Sequence, residues 1–118
     1  MVKYKTIVRG IGSEAKLFKE ENMLILFGMD APDSLKDYCY TIEVNPIVEE
    51  IRAGMKLRID ENYFTITAIG NVVNKNLSEL GHVTIKFDGD TLSELPGTMH
   101  VSQSEYPEIN IGSILEIH

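Results

Sequence analysis

About eight short runs of alternating side chains, each closed by glycine, proline, asparagine or aspartate at spacings near ten residues, restrict what this chain can fold into. Tyr38, Tyr40, Ile42 and Val44 share one face of such a run, while Cys39, Thr41 and Glu43 share the other. Val2, Tyr4, Thr6 and Val8 alternate within Val2 to Arg9, and Val83, Ile85 and Phe87 alternate with His82, Thr84, Lys86 and Asp88. Met55, Leu57 and Ile59 face Phe64, Ile66 and Ala68 across the turn Asp60-Glu61-Asn62, a hairpin pattern. Met23 to Phe27, Thr98 to Ser102 and Gly112 to Ile117 supply three further strands. Helical signals are brief: Ser13 to Asn22 as a loop or short surface helix, one turn after Ser34, and Asn74 to Leu80 with Gly81 as its C-cap. Ile47 to Ile51 fits a strand or a helical turn equally. These runs predict an all-β fold, an antiparallel barrel or sandwich of about eight short strands.

A chain of 118 residues has the length of one domain, 1–118, and burial of roughly two-thirds of its unfolded surface suffices for one modest core. Eighteen acids against eleven bases give a net charge of −7, so nucleic acid and anionic membranes are excluded as partners of choice. An acidic body suits a partner that presents lysine or arginine. The single cysteine, Cys39, rules out an internal disulfide, and the N-terminal residues carry no secretory pattern, so a cytoplasmic location is expected. The longest apolar run, Met23 to Phe27, is far short of the roughly 20 residues a membrane helix needs, and no direct insertion is expected.

Few motifs carry chemistry. Gly10-Ile11-Gly12-Ser13-Glu14-Ala15 fits G-x-G-x-x-A, but a dinucleotide fingerprint needs a parallel sheet and a full helix, so a glycine turn is the better reading. His82, His100, Asp88 and His118 lack the close spacing of a metal motif, so neither a metal nor another cofactor is expected. Cys39 within a strand reads as a small buried hydrophobe rather than a nucleophile.

The stretch from Asn76 to Val101 places two histidines in similar settings: Leu77-Ser78-Glu79-Leu80-Gly81-His82-Val83 is echoed by Leu92-Ser93-Glu94-Leu95 and then Pro96-Gly97-Thr98-Met99-His100-Val101. Alternation turns both imidazoles to the polar side of their strands. A neutral imidazole is a nucleophile that accepts a phosphoryl group when a neighbour holds its other nitrogen. Thr84, Gly97 and Thr98 are placed to surround such a group, and a second histidine is one candidate holder. The competing reading is a surface or hydrogen-bonded structural histidine at each position.

Three segments resemble one known family closely: Phe64-Thr65-Ile66-Thr67-Ala68-Ile69-Gly70, the motif L-G-H-V-T-x-x-F-D-G at Leu80 to Gly89, and P-G-T-x-H-V at Pro96 to Val101. Weaker similarity extends through Met23-Leu24-Ile25 and Tyr38-Cys39-Tyr40 to Gly112-Ser113-Ile114-Leu115. The chain resembles the glucitol/sorbitol-specific IIA component of the bacterial phosphotransferase system. The resemblance implies an all-β, closed or partly open barrel. It further implies a cytoplasmic phosphocarrier that takes a phosphoryl group from the histidine phosphocarrier protein HPr and passes it to a IIB component of a membrane sugar permease.

One position departs from that pattern. In the family the phosphorylated histidine follows the cysteine–aromatic pair, and the ungapped match places it at Ile42, which has no nucleophilic atom. Two expectations follow. Either the chain remains a phosphocarrier through His100 or His82, with His100 preferred because Pro96-Gly97-Thr98 offers a backbone bend and a hydroxyl, or it is a non-catalytic binding or regulatory relative. His118 is the weakest histidine candidate, being terminal.

Overall fold

In the computed structural model, which describes residues 1–118, the alternating runs become eight strands. They are β1 (Tyr4–Ile11), β2 (Met23–Phe27), β3 (Tyr40–Ile42), β4 (Lys56–Ile59), β5 (Asn62–Ile69), β6 (Val83–Lys86), β7 (Thr98–Val101) and β8 (Ile114–Ile117). A 3-10 helix (Ala15–Glu21), a single-turn α1 (Asp33–Lys36) and α2 (Val73–Leu80) lie between them. The strands close in the order β1-β3-β2-β6-β7-β5-β4-β8, with β8 returning to β1, so no strand edge is left unpaired.

A closed eight-strand barrel leaves just enough room inside for its own side chains. Leu24 and Leu26, Tyr40 and Ile42, Leu57 and Ile59, Val83 and Ile85, and Leu115 and Ile117 fill it by alternation, all within one buried cluster. Val73 and Leu77 of α2 pack into the same cluster. Helix α2 stops at Gly81, whose φ of 68° lies in the left-handed region, and the Gly81 amide donates to Leu77 O at 3.0 Å. The predicted helical turn and its glycine cap are therefore present.

Two stretches depart from the pattern read in the sequence. The run from Tyr38 to Val44 pairs only over Tyr40–Ile42, which leaves Tyr38 and Val44 exposed, while Cys39 is buried with its thiol donating to Leu35 O. Burial pushes that thiol up to about 11, which makes it a poor nucleophile at neutral pH. Ile47 to Ile51 forms neither strand nor helix; the Asn74 side chain donates to Ile51 O and accepts from Ile51 N, as a neighbouring strand would. Gly12 ends the first strand because a side chain there would meet Asp37 O at 2.3 Å. Gly12 thus serves a close backbone approach, while Gly10 lies within β1.

Six of the eight strand pairings are antiparallel, and two, β2–β3 and β6–β7, are parallel. A parallel pair obliges the chain to travel back to the starting end before the next strand begins. Residues 28–39 do this for β2–β3 and include α1, whereas residues 87–97 do it for β6–β7 without a helix. The second return lies across the outside of the barrel. Thr67 Oγ1 of β5 donates to Asp90 O at 2.6 Å, Gly89 N donates to Val101 O at 2.8 Å, and Val72 N donates to Pro96 O at 3.1 Å. Leu92 to Leu95, the apparent echo of α2, is irregular and closely followed by Pro96, which has no amide hydrogen to give a helix.

Candidate functional site

The return over β6 and β7 covers one histidine and leaves the other at its margin. In β7, Met99 and Val101 point into the barrel, which puts Thr98 and His100 on the outer face, as the sequence predicts. The same crossover that parallel pairing requires then buries both, to 3 % and 5 % exposure. His100 Nδ1 lies 2.8 Å from Asp88 Oδ1, and Asp88 Oδ1 also accepts from Asp90 N at 3.0 Å.

Burial raises the Asp88 carboxyl, but hydrogen bonds from His100 and the Asp90 amide, aided by the nearby Lys86 charge, outweigh it and hold it below its usual value. An ionised carboxylate can only accept a hydrogen bond, so Nδ1 of His100 is the donor. In the neutral ring this leaves the lone pair on Nε2. His100 lines an open cavity of about 390 Å³ together with Lys86, Asp90, Thr91, Leu92, Glu94 and Leu95.

His82 occupies a different setting. It precedes β6 and lies beside Phe27, one register step beyond the Leu26–Val83 pair, with its ring stacked on Phe27 at a centroid distance of 4.1 Å and 16° between planes. Burial against that ring holds its pKa below the usual imidazole value. No side chain hydrogen-bonds to either of its nitrogens, so nothing sets its tautomer.

The two histidines are not brought together. Lys86 is the register partner of His100, so His82 is four residues away along β6, about 13 Å at roughly 3.3 Å per residue. One imidazole therefore cannot hold the other, and the holder of His100 is Asp88. Thr84 and Thr98 are paired across β6 and β7, and Thr84 N donates to Gly97 O at 3.1 Å. The three predicted surrounding residues thus form one patch between the histidines, half-way to each.

His118 lies on β8's side of the barrel, diametrically opposite β6 in the strand ring. Its Nε2 is 3.0 Å from Glu116 Oε1, which Arg58 also approaches at 3.4 Å, so this histidine belongs to a polar cluster remote from the other two. Ile42 is fully buried, paired with Val8 in the barrel wall, and points into the core. A side chain on Gly81 would come 3.4 Å from Ile42 Cγ1, which places Ile42 near the segment bearing His82 and away from His100.

Asp88, Asp90 and His100 each present one polar atom within 4.8 Å of the others, but with the Nδ1 proton given to Asp88 the cluster is held by a hydrogen bond rather than arranged as a ligand set. Asp88 and His100 lack the close spacing of a metal motif; they meet through the crossover, which no short motif records. Alternation puts Asp88 on the polar side of its strand, but the cue to its contact with His100, the Asp88-Gly89 turn, gives a reversal without a destination.

Comparison with known proteins identifies the family and the fold. The family model described as the PTS system glucitol/sorbitol-specific IIA component matches residues 3–116. The PTS system glucitol/sorbitol-specific EIIA components of Shigella flexneri and Escherichia coli (strain K12) are each 36 % identical over 113 residues, covering 96 % of this chain and 92 % of theirs. The crystal structure of a PTS system IIA component from Enterococcus faecalis V583 superposes with a TM-score of 0.81 at 27 % identity, over 95 % of this chain and 97 % of that one. With a family match along nearly its whole length and the same barrel in a solved relative, the chain belongs to the glucitol/sorbitol-specific IIA components of the phosphotransferase system.

Proposed function

We propose that this IIA component is a cytoplasmic phosphocarrier that receives a phosphoryl group from HPr on Nε2 of His100 and passes it to a IIB component. The observation that carries this reading is the Asp88–His100 pair at 2.8 Å beside an open cavity. Asp88 holds the proton on Nδ1, and Nε2 is left as the nucleophile. Its lone pair forms a new P–N bond to the donor's phosphorus as the donor's P–N bond breaks, and the released electron pair returns to the donor imidazole. In transfer to IIB the P–N bond at His100 breaks as a bond from phosphorus to the IIB nucleophile forms, and the electron pair returns to Nε2. Such a step depends on positioning and charge stabilisation rather than on a deep substrate pocket. No helix of this protein is long and apolar enough to cross a membrane, which agrees with a soluble relay between HPr and a membrane permease.

A second reading is supported by Ile42. A buried isoleucine occupies the position at which the family resemblance puts the acceptor, so a relative that binds the same partners and transfers nothing accounts for that substitution directly. Incubation with phosphoenolpyruvate, Enzyme I and HPr, followed by intact-mass analysis and acid treatment, separates the two. The phosphocarrier reading requires an acid-labile adduct that disappears in His100→Gln and survives in His82→Gln, at most at a slower rate. No adduct on the wild type, with HPr shown to be phosphorylated, establishes the non-transferring reading instead.

A further inference from the structure

The cavity beside His100 has a single cation in its wall. Lys86 is the register partner of His100 across β6 and β7, so the two side chains leave the same outer face from adjacent strands, and both line the cavity. The other charged residues of the wall, Asp90 and Glu94, are acids, and Asp88 stands behind the imidazole. Lys86 takes part in none of the ion pairs of the protein and in none of its side-chain hydrogen bonds. On a chain of net charge −7, an ammonium left without a fixed partner beside a buried nucleophile is available to an incoming anion.

A phosphoryl group carries roughly −1.5 to −2 charge near neutral pH. In this cavity it would face Asp90 and Glu94, with Asp88 behind the imidazole, and like charges at close range oppose it. Only Lys86 can reverse that balance. Lysine binds phosphate as a compact point charge with three rotatable donors, so it can follow the group as it moves between donor and acceptor.

We infer that Lys86 is a catalytic residue of the phosphoryl relay, its ammonium contacting the phosphoryl oxygens of the group on His100. This rests on the assignment of His100 as acceptor. No bond to Lys86 forms or breaks, and the P–N exchange at His100 is the one described above.

The test compares the wild type with Lys86→Met, which keeps the apolar stem, and Lys86→Arg, which keeps the charge. Each protein is phosphorylated by HPr and, separately, by potassium phosphoramidate, which phosphorylates imidazole without a protein donor; adducts are mapped to His100 by mass. Thermal melts check that all three fold alike. Lys86→Met should slow both reactions by about tenfold or more, the loss expected for one charge-assisted contact, and Lys86→Arg should restore most of each rate.

Equal rates for Lys86→Met and the wild type in both reactions overturn the inference while leaving His100 as acceptor. A loss confined to the HPr reaction moves Lys86 to the partner interface and also overturns it. If phosphoramidate modifies His100 but HPr does not, the phosphocarrier function fails and the phosphoramidate rates alone decide Lys86. Failure of HPr and phosphoramidate alike to modify His100 in the wild type overturns both.

Discussion

His100 and His82 show how one residue type takes opposite characters on a single sheet face. The first is held by a carboxylate and covered by a polar crossover; the second lies flat on Phe27 with no polar partner. Stacking against an aromatic ring desolvates His82 and disfavours its charged form, which sets the sign of its contribution to stability. As pH falls through about 6.5 the unfolded chain takes up a proton that the folded protein still resists. Between those two values the unfolded state binds more protons, so stability contributed by His82 is present above the unfolded value and is lost on acidification. Urea midpoints measured at about pH 7 and about pH 5 should therefore differ less in His82→Gln than in the wild type. An equal or larger acid loss in the variant contradicts the desolvated setting.

At the scale of elements, the crossover of residues 87–97 connects fold to site. Parallel pairing of β6 with β7 makes a return over the outer face obligatory, and that return brings Asp88 back onto His100 and supplies most of the cavity wall. Its far end rests on Gly70, where a side chain would meet Pro96 O at 2.1 Å. Replacing Gly70 by alanine must push the crossover away from the end of β5, because backbone, not a flexible side chain, is in the way. The expected result is a loss of about 2 kcal/mol in urea denaturation, typical of overpacking. Faster modification of His100 by diethylpyrocarbonate and earlier hydrogen exchange at the Gly89 amide should accompany it. Unchanged exchange there would show that the crossover is not anchored at Gly70.

For the molecule as a whole, closure of the barrel separates two charged regions. Glu116 is buried on the outer face of β8 with Lys5 at 3.6 Å, Arg58 at 3.4 Å and the His118 ring at 3.0 Å, so its partners are engaged locally. The histidine cavity, on the opposite wall, carries acids at its rim. A donor that is positively charged around its own phosphohistidine would be steered toward an acidic body, and such steering is screened by salt. The HPr-dependent phosphorylation rate should fall by roughly tenfold between about 0.1 M and about 1 M salt, as the Debye length shortens from about 10 Å to about 3 Å. The phosphoramidate reaction, having no protein partner to steer, serves as the control. A salt-independent HPr reaction would remove electrostatic steering from the account.

Local alternation was enough to read most of the strands, the α2 cap at Gly81, the outward placement of His82, Thr84, Lys86, Thr98 and His100, and the family motifs around them. Each of these depends on neighbours within a few residues, which is the range over which side-chain periodicity and capping act. Tertiary structure decided the rest: that two strand pairs are parallel, that an outward histidine is nonetheless buried, and that Asp88 holds it while His82 stands a strand's length away. Closing a loop of this length costs nearly the same entropy whichever way it runs, so its route is chosen by what it packs against. The Asp88–His100 contact exists because barrel closure leaves residues 87–97 one face on which to return, and no spacing in the sequence carries that information.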